Sequence, residues 1–179
     1  MKPLARLLVG VALLLGLLLA VSFALPKEIS VARSVDINAP ESDIFPFLNS
    51  PQKFNEWSPW AARDKDMVYT FSGPPAGKGA RMTWKSDEFG EGTQEIIESE
   101  PNKFIKVALD FGDQGGGTSY YRLTPKGAGT RVTWGFDTDI GNNPMMRWMG
   151  LMFDRWIGTD YEQGLARLAR QVEAGGGGR

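Results

Sequence analysis

The chain has 179 residues, 42% hydrophobic and 23% charged, with a formal net charge of -1 and neither cysteine nor histidine. That length and balance fit one globular domain with an N-terminal appendage, and the charge offers no electrostatic footprint for nucleic acid. The missing residue types exclude disulfides, thiolate nucleophiles, Cys or His metal sites, Ser-His-Asp triads and imidazole acid–base chemistry, so any reaction falls to carboxylates, Lys, Arg, Tyr or Ser/Thr.

Residues 7–25 form an apolar run broken only by Gly10, Gly16 and Ser22. As a helix rising ~1.5 Å per residue it reaches about 28 Å, close to the roughly 30 Å of a bilayer's hydrocarbon core. Lys2 and Arg6 precede it, which keeps the N-terminus cytoplasmic and places the following chain across the membrane, in a periplasmic or extracellular space. Lys27 and Arg33 just beyond the run weaken that bias. A cleaved signal peptide ending at Ser22-Phe23-Ala24 is the alternative, but its apolar stretch is usually shorter, about 7 to 15 residues. The preferred reading is a single-pass signal anchor over residues 7–25 after a tail of residues 1–6, then a folded unit over 26–174 and a flexible glycine-rich end over 175–179.

Alternation over 29–37 (Ile29, Val31, Val35, Ile37) predicts a first strand. Pro40-Glu41 opens a helix to about residue 48, and Ser50-Pro51 opens a second to about residue 57. Six strands follow at hairpin spacing, over 67–71, 79–85, 92–100, 103–111, 118–124 and 129–137, joined by short Gly, Pro, Asn and Asp turns, as in an antiparallel meander. The glycine-rich stretch 112–117 is a hairpin loop, not a phosphate cradle, because no helix start and no Gly-Lys-Ser/Thr follows it. Met82, Trp84, Ile105, Val107, Leu109, Phe111, Tyr121, Leu123, Val132, Trp134 and Phe136 share one sheet face. A long helix over 144–173, begun by Pro144, brings Met149, Phe153, Trp156, Ile157, Leu165, Leu168 and Val172 as its covering stripe.

The order of strand, two small helices, meander and long C-terminal helix resembles the helix-grip fold of the START and polyketide-cyclase superfamily, often called SRPBCC. Local wording is similar as well, in Pro51-Gln52-Lys53-Phe54-Asn55-Glu56-Trp57-Ser58-Pro59-Trp60, in Gly90-Glu91-Gly92-Thr93-Gln94-Glu95-Ile96 with Glu98-Ser99-Glu100-Pro101, and in Gly129-Thr130-Arg131-Val132-Thr133-Trp134. The segment Phe153-Asp154 through Ile157-Gly158-Thr159-Asp160-Tyr161-Glu162-Gln163-Gly164-Leu165 resembles the closing signature of the polyketide cyclase/dehydrase-like branch. The resemblance covers residues 29–172. It implies an α+β fold, a curved antiparallel sheet wrapped around a long C-terminal helix, with an apolar cavity between them. It implies no common catalytic residue.

Six tryptophans and a cluster of Met145, Met146, Met149 and Met152 supply broad, adaptable apolar surface. Trp60, Met82, Trp84, Val107, Leu109, Tyr121, Met149, Phe153 and Trp156 are therefore the candidate cavity lining, with the mouth expected near the start of the long helix. Trp134 is expected in the core. Asp137, Asp139, Asp154 and Asp160 are candidate acid–base groups, but solvated rims or helix–strand salt bridges with Arg131, Arg147 or Arg155 are the expected role. No cofactor or metal is expected. Three function classes follow: a membrane-tethered module binding a lipid or other apolar small molecule, a cyclase or dehydrase using the same cavity, and a partner-binding accessory domain. The first accommodates every observation; a protein partner is unknown.

Overall fold

The computed structural model describes residues 2–176. Its first helix, α1 (Lys2–Ser22), begins earlier than the apolar run suggests, because Pro3 is tolerated in a first helical turn. Its exit tightens: the amides of Phe23, Ala24 and Leu25 each bond three residues back, ahead of Pro26. Residues 3–22 are long and apolar enough to cross a membrane.

After it the chain runs β1 (Glu28–Ile37), α2 (Glu41–Leu48), α3 (Pro51–Trp57), α4 (Pro59–Arg63), β2 (Val68–Ser72), β3 (Arg81–Ser86), β4 (Gly90–Glu100), β5 (Phe104–Asp110), β6 (Gly116–Lys126), β7 (Gly129–Asp139) and α5 (Pro144–Gly176). The sheet has seven strands in the order β1-β7-β6-β5-β4-β3-β2, every pair antiparallel. This is the helix-grip arrangement of an α+β fold. The extra helix α4 was not expected from the sequence. Ser58 caps it, its hydroxyl accepting from the Ala61 amide at 3.4 Å, and Pro59 fits its first turn. The expected flexible end is helical as far as Gly176, and residues 177–179 lie outside the described residues.

Inward-facing Ile105, Val107, Tyr121, Leu123, Val132, Trp134 and Phe136 are buried, as the alternation predicts. Two features depart from it. A bulge between Ile96 and Glu98 buries Ile96 and turns Ile97 outward. On β1 the inward position opposite Trp134 is Arg33, whose guanidinium bonds Asp154 at 2.9 Å and Glu162 at 2.8 Å across Gly158 of α5. An inward charge on an edge strand thus ties the sheet to the helix.

Only the C-terminal part of α5 covers the sheet fully. Tyr161, Leu165, Leu168 and Val172 are buried, whereas Met149 and Trp156 are 38% and 47% exposed. They do not belong to the covering stripe, because the first turns of α5 lie beside β1, where Gly150 packs on Ile29.

Burial pushes the Tyr121 and Tyr161 phenols above their ordinary value, the latter against a hydrogen bond with Ser119. A raised folded value means stability present below the unfolded value of about 10 and lost as pH rises above it. Asp36, Asp139 and Asp154 are held low, chiefly by Arg131, the Gly141 amide and Arg33 respectively, so their contribution is present above about 4 and lost as pH falls below it. All three are exposed, which makes the acid effect small. Thermal melts should therefore stay nearly flat from about pH 5 to 9 and fall steeply above about 10, with Tyr121→Phe moving the alkaline limb upward. A decline already complete at neutral pH would contradict the tyrosine assignment.

Candidate functional site

Because α5 runs along β1, the sheet from β2 to β5 is left without a long helix over it. The short helices α3 and α4 roof that half incompletely, and a cavity of about 230 Å³ remains. An apolar cavity of about 150 Å³ already accepts benzene, so this space exceeds a packing defect and admits at least an aromatic ring. Its floor is Met82, Trp84, Gln94 and Leu109 from β3 to β5, with Phe111 just past β5 and Phe136 of β7; Met67, Tyr69 and Phe89 close one side. Phe54, Asn55, Ser58 and Trp60 form the roof, and α5 contributes Ile157 and Tyr161.

Each wall is held by its own device. Trp84 lies flat over its cross-strand partner Gly92, where a Cβ would stand 2.3 Å from the indole, and meets the edge of Phe111 at 5.9 Å. Trp60 donates to Asp160 at 3.1 Å, and Arg63 bonds the same carboxylate at 2.8 Å. Tyr161 stacks on Trp134, centroids 3.7 Å apart and planes 9° from parallel.

No Asp, Glu, Lys or Arg lines this cavity among the described residues. Tyr69 and Tyr161 are its phenols, and burial raises both, Tyr69 with help from Asp64. They are neutral donors or acceptors near pH 7. Asn55 Nδ2 donates to the Met82 sulfur at 3.3 Å, and its buried Oδ1 has no hydrogen-bond partner among the described residues. A buried acceptor left unpaired is costly, and Asn55 carries one at a residue that lines the cavity.

Of the sequence-based candidates, the structure brings Trp60, Met82, Trp84 and Leu109 to the cavity. Val107 and Tyr121 sit in the closed core, at 5% and 4% exposure, Tyr121 with its ring 6.0 Å from Trp57 of α3. Met149, Phe153 and Trp156, on the first half of α5, are not among the cavity's lining residues, and neither is any of the clustered methionines. The four candidate aspartates are in ion pairs or hydrogen bonds, but with other partners than expected: Asp154 with Arg33, Asp139 with Lys27, Asp160 with Arg63, and Asp137 accepting from Ser30. Arg131 instead holds Asp36, and Arg147 binds backbone carbonyls. No cluster of metal-ligating side chains occurs among the described residues. Eleven lining residues were missed, Asn55, Phe89, Ile157 and Tyr161 among them. For Asn55 a signal existed, since it shares the helical face of Pro51, Phe54 and Ser58.

The family model for polyketide cyclase/dehydrase and lipid transport proteins matches residues 28–173, the whole folded unit. The chain belongs to that family. Among solved structures it is similar to DynU16 from the dynemicin biosynthetic locus (TM-score 0.57, 18% identity, 82% of this chain and 48% of that one). It is also similar to StfQ, the di-domain ARO/CYC of the steffimycin biosynthetic pathway (TM-score 0.63, 11% identity, 84% and 52%). A third is protein MLL2253 from Mesorhizobium loti (TM-score 0.56, 20% identity, 79% and 97%). The chain thus spans about half of DynU16 and of StfQ. At these identities the likeness speaks for the fold. No curated protein matches the chain.

Proposed function

We propose that this family member is a membrane-tethered binding module that holds an apolar small molecule bearing a hydroxyl or amide hydrogen in the cavity beside α5. The observation that carries the reading is an uncharged, aromatic-walled space lined by a residue with an unpaired acceptor, the buried Asn55 Oδ1. Binding sites of this kind use apolar walls for affinity and a few polar groups for orientation. The ligand class fits the lipid-transport side of the family description. A cyclase or dehydrase needs a base as well as an acid near neutral pH, and burial keeps both phenols at this cavity protonated, as proton donors only.

Tethering rests on α1. Arg147, 7% exposed, donates to the carbonyls of Ser22 at 3.4 Å, Phe23 at 3.0 Å and Leu25 at 3.2 Å, and Trp148 Nε1 donates to Leu18 O at 3.3 Å. Cleavage after Ala24 would strip Arg147 of the first two. These bonds favour a retained anchor; the exported side rests on Lys2 and Arg6 ahead of the apolar run.

The ligand reading is tested by titrating the full-length protein with 1-naphthol and with 1-methylnaphthalene, similar in shape but lacking a donor. Wild type should prefer the naphthol, and Asn55→Leu should erase about 0.5–1.5 kcal/mol of that preference, up to roughly tenfold, while still binding both. Recovery of unchanged ligand supports a binder; conversion to product would establish the enzyme instead. No saturable binding of either probe by folded protein would sink the proposal.

A further inference from the structure

The first three turns of α5 carry a second apolar stripe that faces neither the sheet nor the cavity. Met145, Trp148, Met149, Met152 and Trp156 recur at steps of three and four, and their exposures are 71%, 36%, 38%, 46% and 47%. At 100° per residue they share one side of the helix, while Gly150, Ile157 and Tyr161 point the other way. A stripe of this size left open on a soluble surface marks an interaction site.

The neighbouring element says what covers it. The stripe stands beside the last turn of α1, where Trp148 bonds Leu18 O and Arg147 gathers the carbonyls of Ser22, Phe23 and Leu25. Residues 3–22 have a hydrophobic length of about 30 Å, matching the bilayer core, so that last turn stands at the boundary of acyl chains and headgroups. We infer that the first turns of α5 lie in that same boundary, as an interfacial helix with the stripe turned toward the acyl chains of a lipid bilayer. The inference rests on the reading that α1 spans the membrane. Charge agrees with it. No Asp or Glu occurs on α5 before Asp154, which Arg33 holds; Arg147 is buried in carbonyl contacts, and exposed Arg155 stands one turn beyond Leu151, placed for anionic headgroups. Tryptophan with an indole donor at this depth is the usual interfacial residue. Ile157, next along the helix, lines the cavity, so the binding site sits within a turn of the lipid surface.

The cysteine-free chain allows a direct measurement. Single Met145→Cys, Met152→Cys and Trp156→Cys variants of the full-length protein are spin-labelled and reconstituted in phosphatidylcholine/phosphatidylglycerol vesicles, with Leu14→Cys in α1 and Thr124→Cys at the β6 end as references. Collision with oxygen against a water-soluble nickel chelate should place the three α5 labels within about 5–10 Å of the headgroup–acyl boundary, Leu14 deep in the hydrocarbon and Thr124 in water. Deep Leu14 with α5 labels as aqueous as Thr124 would overturn the interfacial helix alone. An aqueous Leu14 would remove the spanning reading and this one with it. Label–label broadening at α5 that disappears on dilution with unlabelled protein would show a second copy covering the stripe, and would equally overturn lipid as its occupant.

Discussion

Replacing Trp134 with alanine is expected to destabilise the folded unit by about 3–5 kcal/mol, a large share of a typical 5–15. The ring is 2% exposed and stacked on Tyr161. Trp57, Phe54 and Trp60 meet it edge-on at 5.2, 5.9 and 5.8 Å. Its Nε1 donates to the buried Ser119 hydroxyl at 2.9 Å, and that hydroxyl donates to Gly135 O at 2.9 Å. Gly164 lets α5 press against the same ring, for a Cβ there would stand 2.8 Å from it. Truncation therefore loses transfer free energy, aromatic pairing and contact with a helix that cannot move in to refill the space. Trp134→Phe keeps a ring and should cost less. Trp84→Ala is the contrast, because that indole already borders open space and its removal enlarges a cavity instead of creating one. Chemical denaturation of the variants decides it: equal, large losses at Trp84 and Trp134 would mean that the wall of the cavity is ordinary core.

That contrast marks where sequence reasoning stopped. Alternation along β5 puts Ile105, Val107 and Leu109 on one face, and the structure agrees; what alternation lacks is which of them has a helix above it. Val107 lies under the packed end and Leu109 under the cavity because α5 crosses toward β1, a direction that no residue of β5 encodes. The same limit applies to Met149 and Trp156. Helical spacing identified an apolar stripe on α5 and assigned it to the sheet, but the sheet-facing side at that level carries Gly150, a residue without an apolar side chain to register in the pattern. Arg33 was visible as the one break in β1's alternation, and its meaning depended on Gly158, Asp154 and Glu162 standing opposite it, more than a hundred residues away. Asn55 was legible in principle, as a polar residue on an apolar helical face, since such a position needs a reason.

Filling the cavity from Leu109 is expected to remove binding without unfolding the protein. Leu109 is half-buried on β5, opposite Gln94 in the ladder, and its side chain borders the empty space beside Trp84 and Phe111. Leu109→Trp places an indole where a ligand would lie. In a closed core such a change costs about 1–3 kcal/mol through overpacking, but here the added atoms enter existing space, and the stability change should stay below that range. If the ligand loses room for three methylene groups, each worth about 0.8 kcal/mol, affinity should fall by about 2.4 kcal/mol, roughly 60-fold. The corresponding enlargement, Leu109→Ala, leaves the acceptor at Asn55 in place and should weaken a small ring such as 1-naphthol by lost contact while tolerating a bulkier one. Titration of 1-naphthol into both variants, alongside their denaturation curves, measures the two effects separately. Unchanged affinity in Leu109→Trp, with the protein folded, would move the ligand out of this cavity and leave the proposed function without its site.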